Sequence, residues 1–124
     1  MIVLDTDVLI NFLRGDLATK DILFSINEPL ATTVINAYEL MRGAITIKKQ
    51  KTIKEFIETI NLLPLDKKAT FIATDIYLHL RKSGTIINEL DILIAAITVA
   101  NDGTLFTYNI RHFERIPQLN LLKV

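Results

Sequence analysis

Apolar residues along this chain fall into short runs and helical stripes that alternate from end to end. Ile2 to Asp5 opens with an unbroken apolar run and reads as a short buried strand. Val8 to Arg14 reads as a helix, with Asp7 as its N-cap and Gly15 as its stop. Ile22 to Ile26 extends this into a helical hairpin. Pro29 to Thr33 reads as a second strand, after which Thr33 caps a helix from Val34 to about Ile47. From Lys51 to Ile60 the spacing of Ile53, Phe56, Ile57 and Ile60 predicts an amphipathic helix. Leu62 to Leu65 is a short strand. Asp66 then caps a longer helix to about Lys82 that turns Ala69, Ile72, Ala73, Ile76, Tyr77 and Leu80 inward, and Gly84 ends it. Asp91 opens a helix, Ile92 to Ala100, that is apolar almost all round and therefore central. Thr104 to Thr107 and Leu121 to Val124 complete the strands.

Strands separated by helices predict an α/β fold: one domain over residues 1–124, with a central parallel sheet of about five short strands flanked by helices on both faces. In such sheets ligands sit beyond the carboxyl ends of the strands, where strand order reverses. No internal repeat, low-complexity stretch or linker interrupts the pattern.

Composition sharpens this picture. The 124 residues are 50% hydrophobic and contain no cysteine, which excludes disulfides and thiolate metal sites. Mean hydropathy is +0.34, high enough to suggest that a partner or a second copy covers some surface. No run reaches the roughly 20 apolar residues that span a bilayer. The N-terminus lacks a basic region before its apolar run, which argues against a signal peptide. A cytoplasmic protein is expected. Net charge is +0, so any nucleic-acid contact must come from local basic groups. Lys48, Lys49, Lys51 and Lys54 form one such group, read as a solvated face. Arg111, His112 and Arg115 form another, beside Asn109.

Asp5, Glu39, Asp91 and Asn109 all fall at or near the predicted rim. Each has an ordinary structural explanation. Asp5 can be a turn or cap, although Asp7 fits that task better. Glu39 can pair with Arg42 at i+3. Asp91 can be an N-cap, and Asn109 a turn residue. Their joint placement argues for more. Three carboxylates and a carboxamide in one crevice repel each other unless a hard cation joins them. Metal-dependent chemistry on a phosphate-containing substrate is the expectation. His79 and His112 are too isolated to suggest zinc, and no P-loop, dinucleotide glycine pattern or Ser-His-Asp arrangement is present.

The segments that carry these residues are VLDTDVLINFLRG, YELMRG, ELDILIAAITVA and GTLFTYNIRHFERIP. Together, and in this order, they resemble the PIN-domain family, most closely its VapC-type toxins. The resemblance covers nearly the whole chain. It implies a Mg²⁺-dependent endoribonuclease (Mn²⁺ being an alternative ion) that is the toxin of a VapBC-type pair, forms a homodimer and is blocked by a VapB-type antitoxin. The family's acidic residues map onto Asp5, Glu39 and Asp91, with Asp5 and Asp91 as metal ligands and Glu39 acting on the attacking water. The fourth acidic position maps onto Asn109, which keeps an oxygen ligand but loses a charge. Thr107 matches the family's small hydroxyl residue. Arg14, Arg42, Arg111 and Arg115 would hold RNA around the rim.

Three other functions are compatible with parts of the pattern. IVLDTDVL fits the opening of haloacid-dehalogenase phosphatases, with Asp5 as nucleophile and Asp7 as acid/base, but their later acidic pair is absent. Asp7 separates the two readings, being essential in the phosphatase and nearly dispensable in the nuclease. A receiver domain could use Asp66 and Thr107 but lacks its lysine after the last strand. Asn109 is the best support for a PIN-like fold that only binds RNA or protein.

Overall fold

β1 (Ile2–Leu4) is the middle strand of a five-stranded, all-parallel sheet in the computed structural model, which describes residues 1–124. The strand order is β3-β2-β1-β4-β5, with β2 at Leu30–Thr33, β3 at Asn61–Leu63, β4 at Thr104–Phe106 and β5 at Asn120–Leu121. The chain adds β2 and β3 on one side of β1, crosses over, and adds β4 and β5 on the other. The seven helices are α1 (Thr6–Leu13), α2 (Leu17–Ser25), α3 (Val34–Arg42), α4 (Ile47–Ile57), α5 (Lys67–Lys82), α6 (Glu89–Ala100) and the single turn α7 (Ile110–Phe113). Because all strands run one way, the residues ending β1, β2 and β4 share one edge. Strand order reverses at β1, which opens a crevice there.

Side-chain alternation along the strands makes two cores. Val3, Ala31, Leu63 and Leu105 face α5 and α6, where Ile76, Leu80, Ile94 and Ile97 are buried. Ile2, Leu4 and Phe106 point the other way, onto Val8 and Leu9 of α1, Leu23 of α2 and Leu40 of α3. Burying each large aliphatic side chain contributes about 1.5–3 kcal/mol. That is enough to fix α6, and with it the carboxylate of Asp91 in its first turn.

Several boundaries differ from the sequence reading. Asp5, not Asp7, is the N-cap of α1, and Asp7 lies in the first turn. Asn88, not Asp91, caps α6: its side chain accepts the Leu90 N–H, so the helix starts one turn early. The helix from Val34 ends at Arg42, and Thr46 caps a new one by accepting the Lys49 N–H. β3 ends before Pro64, and β5 stops at Leu121.

The apolar stripe of α4 is real, but its own chain covers it. Ile53, Phe56 and Ile60 pack on the second core, and Phe56 meets Phe12 at 6.0 Å between ring centroids. The large exposed apolar side chains lie elsewhere: Leu17 and Phe24 on α2, Ile45 and Ile47 around the start of α4, and Phe71 and Leu78 on α5. Nothing in the fold explains the exposure of Ile45 and Ile47. No helix is long and apolar enough to cross a membrane.

One glycine is required by close approach. A Cβ on Gly103, at the entry to β4, would stand 2.9 Å from Cγ2 of Val3. Val3 is fully buried in the central strand, and its β-branched side chain cannot turn aside. Gly103→Ala is expected to destabilise the fold by about 1–3 kcal/mol in urea unfolding. Adding Val3→Ala should then cost less than it does in the unmutated protein. Additive losses would contradict the contact.

Candidate active site

Asp5 follows β1 directly and is only 6% exposed. Its carboxylate is held by neutral donors on both oxygens. Oδ1 accepts the Thr6 N–H at 2.8 Å and Nδ2 of Asn36 at 3.0 Å. Oδ2 accepts the hydroxyl of Thr107 at 2.6 Å. Thr107 sits just after β4, and its Oγ1 also accepts the Asn109 N–H at 3.0 Å. The ends of the two adjacent strands are therefore joined through one side-chain pair.

The other side of the crevice is built on α3. Thr33 and Asn36 form a capping box at its start. Asn36 Oδ1 accepts from the Thr33 hydroxyl at 2.7 Å, which turns the amide nitrogen toward Asp5 and toward Oγ1 of Thr6, 2.9 Å away. Thr6 in turn donates its hydroxyl to Oε1 of Glu39 at 2.7 Å. Glu39 lies one turn beyond Asn36, on the same helix face. Asp5, Thr6, Asn36 and Glu39 thus form one directional network, and no buried side-chain polar atom is left without a partner.

Asp91 approaches from α6. Its Oδ2 is 3.5 Å from Nδ1 of His112, which lies 2.8 Å from Nδ2 of Asn109. A neutral His112 accepts from that amide; a protonated one points a proton at Asp91. Because the amide nitrogen of Asn109 is engaged with His112, its carbonyl oxygen is the atom on offer as a ligand.

Electrostatics ties these groups together. Burial, opposed by the hydrogen bonds from Thr107, Thr6 and Asn36, pushes the Asp5 carboxyl above its ordinary value. Asp91 is pushed up by burial, then by the charges of Asp5 and Glu39. Asp7 is pushed up to about 6, by burial first and by the Asp5 charge second. The raised value means that the folded chain holds this proton more tightly than the unfolded chain does. Between the ordinary value of 3.8 and about 6, the contribution of Asp7 to the stability of the metal-free fold falls as pH rises. Asp5 forms no ion pair, whereas Arg42 lies 3.9 Å from Glu39 and His112 lies beside Asp91.

Hydrogen bonds through Thr6, Thr107 and His112, and the mutual charge of the acids, link Asp5, Glu39, Asp91 and Asn109 at this edge of the sheet. The expected Glu39–Arg42 pair is also present, though long. Of the basic residues, Arg14, Lys48 and Lys49 line one groove of about 550 Å³ between α1, α3 and α4, together with Glu39. Arg42 lies over the Tyr38 ring. Arg111 is exposed on α7, whereas Arg115 reaches back to the Thr85 carbonyl at 3.4 Å.

Sequence reasoning missed Thr6, Asn36, Asp7 and Tyr108. Asn36 carried a signal, because it lies three residues both from Thr33 and from Glu39. Asp7, given no part in the nuclease, accepts the Tyr108 N–H at 3.1 Å and so ties α1 to the loop bearing Thr107 and Asn109.

The donor set is all oxygen: three carboxylates and a carboxamide. Their mutual repulsion and partial burial suit a hard divalent cation. No three acidic or histidine side chains close into a ready-made cage.

Known proteins share this sequence pattern and fold. The PIN domain family model matches residues 2–119. Ribonuclease VapC10 of Mycobacterium tuberculosis is 34% identical over 121 residues, which cover 96% of this chain and 90% of that one. Ribonuclease VapC1 of Methanocaldococcus jannaschii is 29% identical over 120 residues, covering 97% and 84%. Among solved structures, VapBC2 from Rickettsia felis, bound to a DNA fragment from its promoter, superposes with a TM-score of 0.87 at 28% identity, over 98% of each chain. VapBC-1 from nontypeable Haemophilus influenzae shares the fold, with a TM-score of 0.88 at 24% identity over 99% of this chain and 98% of that one. The chain belongs to the PIN-domain family and is one of its VapC-type ribonucleases.

Proposed function

We propose that the crevice around Asp5 is the ribonuclease site and that it works with Mg²⁺ or Mn²⁺. The observation that carries this reading is the buried Asp5 carboxylate, held by three neutral donors and set in the field of Asp91. Asp5 and Asp91 would hold the cation, with the carbonyl of Asn109 as a neutral oxygen ligand. Bound there, it supplies Lewis-acid stabilisation of the phosphodiester and makes water more acidic.

The chain's own residues do the rest. Glu39, anchored through Thr6, orients the attacking water and takes its proton. Thr107 fixes the rotamer of Asp5. Arg14 and Arg42, on the Glu39 side, and Arg111, beyond Asn109, offer positive charge to the RNA backbone. Arg115 is a weaker candidate, because its guanidinium already serves the Thr85 carbonyl. A phosphatase reading through Asp7 finds no support, since the family match over residues 2–119 is to the PIN domain and the relatives are ribonucleases.

The similar chains of known structure were seen in VapBC complexes, which supports a VapB-type antitoxin as partner. An exposed apolar face on α5 is consistent with a homodimer. Phe71 and Leu78 lie two turns apart on one face of α5, 61% and 54% exposed. A monomer in light scattering at micromolar concentration would contradict the dimer.

Asp5→Asn tests the site. The asparagine can keep Oδ1 on Thr6 and Asn36 and donate to a rotated Thr107 hydroxyl, so the fold should survive. Cleavage of a mixed RNA pool by the unmutated protein should need Mg²⁺ or Mn²⁺ and stop in EDTA. In Asp5→Asn it should fall by about 100-fold or more, the scale of losing a key electrostatic group. Metal-dependent cleavage retained by folded Asp5→Asn would overturn the assignment.

A further inference from the structure

Tyr108 stands between Thr107 and Asn109, the two residues that β4 delivers to the crevice, yet its side chain points away from the acids. Its phenol oxygen lies 2.6 Å from Oγ1 of Thr19 on α2. Thr19 is fully buried. Its Oγ1 is also 2.7 Å from Oδ2 of Asp16, the N-cap of α2, which accepts the Thr19 N–H at 3.0 Å as well. Asp16 is held ionised by these bonds from Thr19, which lower its pKa, so it can only accept. The single hydroxyl proton of Thr19 therefore goes to Asp16, and Tyr108 must be the donor to Thr19. The bonds run in one direction, from Tyr108 to Thr19 to Asp16.

The same residue is held at two more points. Its N–H goes to Asp7 on α1. Its ring meets the buried Phe106 edge-on, at 5.5 Å between centroids. Residues 107–109 belong to neither a strand nor a helix, so no ladder or helical turn fixes them. Thr107 holds them to Asp5 from inside, Asn109 meets His112 at the start of α7, and Tyr108 holds them to α1 and α2 from outside.

We propose that Tyr108 is a positioning residue: through its hydroxyl bond to Thr19 it clamps the loop bearing Thr107 and Asn109 against Asp5. The clamp serves the ribonuclease site and rests on that reading for its catalytic consequence only. Tyr108 is 42% exposed, so a rival role is a platform on which an RNA base stacks. The two roles separate cleanly, because Tyr108→Phe keeps the ring and removes only the hydroxyl.

The test compares Tyr108→Phe, Thr19→Val, Thr19→Ser and the Tyr108→Phe/Thr19→Val double variant. Hydrogen exchange at the amides of residues 108 and 109 is read in metal-free protein; kcat and KM are read on a single-stranded RNA with Mg²⁺. In Tyr108→Phe, exchange should rise by about tenfold, the scale of one lost hydrogen bond. Its kcat should fall by about three- to tenfold, with KM changed less than about twofold, as for an interaction that positions rather than binds. Thr19→Val should match it, the double variant should be no worse than either single one, and Thr19→Ser should behave as the unmutated protein. Unchanged exchange in Tyr108→Phe, or losses that multiply in the double variant, would overturn the clamp. If the unmutated protein cleaved no RNA, the ribonuclease reading would fail, and exchange would still decide the clamp.

Discussion

The carboxylate of Asp5 sits at the carboxyl end of the central strand, buried, surrounded by neutral donors and without an ion pair. Much of the structure serves to keep it there. Thr107 ties it to β4, Asn36 ties it to α3, and the Thr6 N–H makes it the start of α1. Three hydrogen bonds favour the ionised form, yet burial outweighs them and the proton is held more tightly than in water. Such a group is poised for a positive charge that the chain does not supply.

The sheet topology turns this local arrangement into a site. β1 lies between β2 and β4, so whatever follows those strands must face whatever follows β1. Apolar packing of α6 on the sheet brings Asp91 close enough for its charge to interact with Asp5 and Glu39. The site is assembled by packing far larger than any of its polar bonds, which is why it can tolerate mutual repulsion among its acids. A second, outer set of polar contacts, through Asp7 and Tyr108, holds the loop after β4 against this frame.

The central features of the fold were legible because short apolar runs and helical stripes are strong signals. All five strands, the long stripe of α5 and the buried α6 follow that pattern. Boundaries were less legible where two capping residues compete. Asp5 and Asp7 both suit a helix start, and only the chain's exit from β1 decides between them. Asn88 outranks Asp91 for the same reason, since a side chain must face a free N–H to cap it. The apolar stripe of α4 was legible as a helix face, but what covers it, the second core of the same chain, was not. In the site, Asp5 and Asn109 could be read from their places after strands. Asn36 showed only the spacing of a capping residue, and Tyr108 showed nothing: their contacts are with partners 31 and 89 residues away.

We propose that Asp5 and Asp91 together carry more negative charge than the chain neutralises, so that binding a cation would stabilise the pair. The most direct test is to titrate the aspartate carboxyl groups by carbon-detected NMR in metal-free protein, then repeat with Mg²⁺. The account predicts that both titrate above the ordinary carboxylate range without metal, and that Mg²⁺ pulls both down. Ordinary titration in the metal-free protein, or indifference to Mg²⁺, would contradict it.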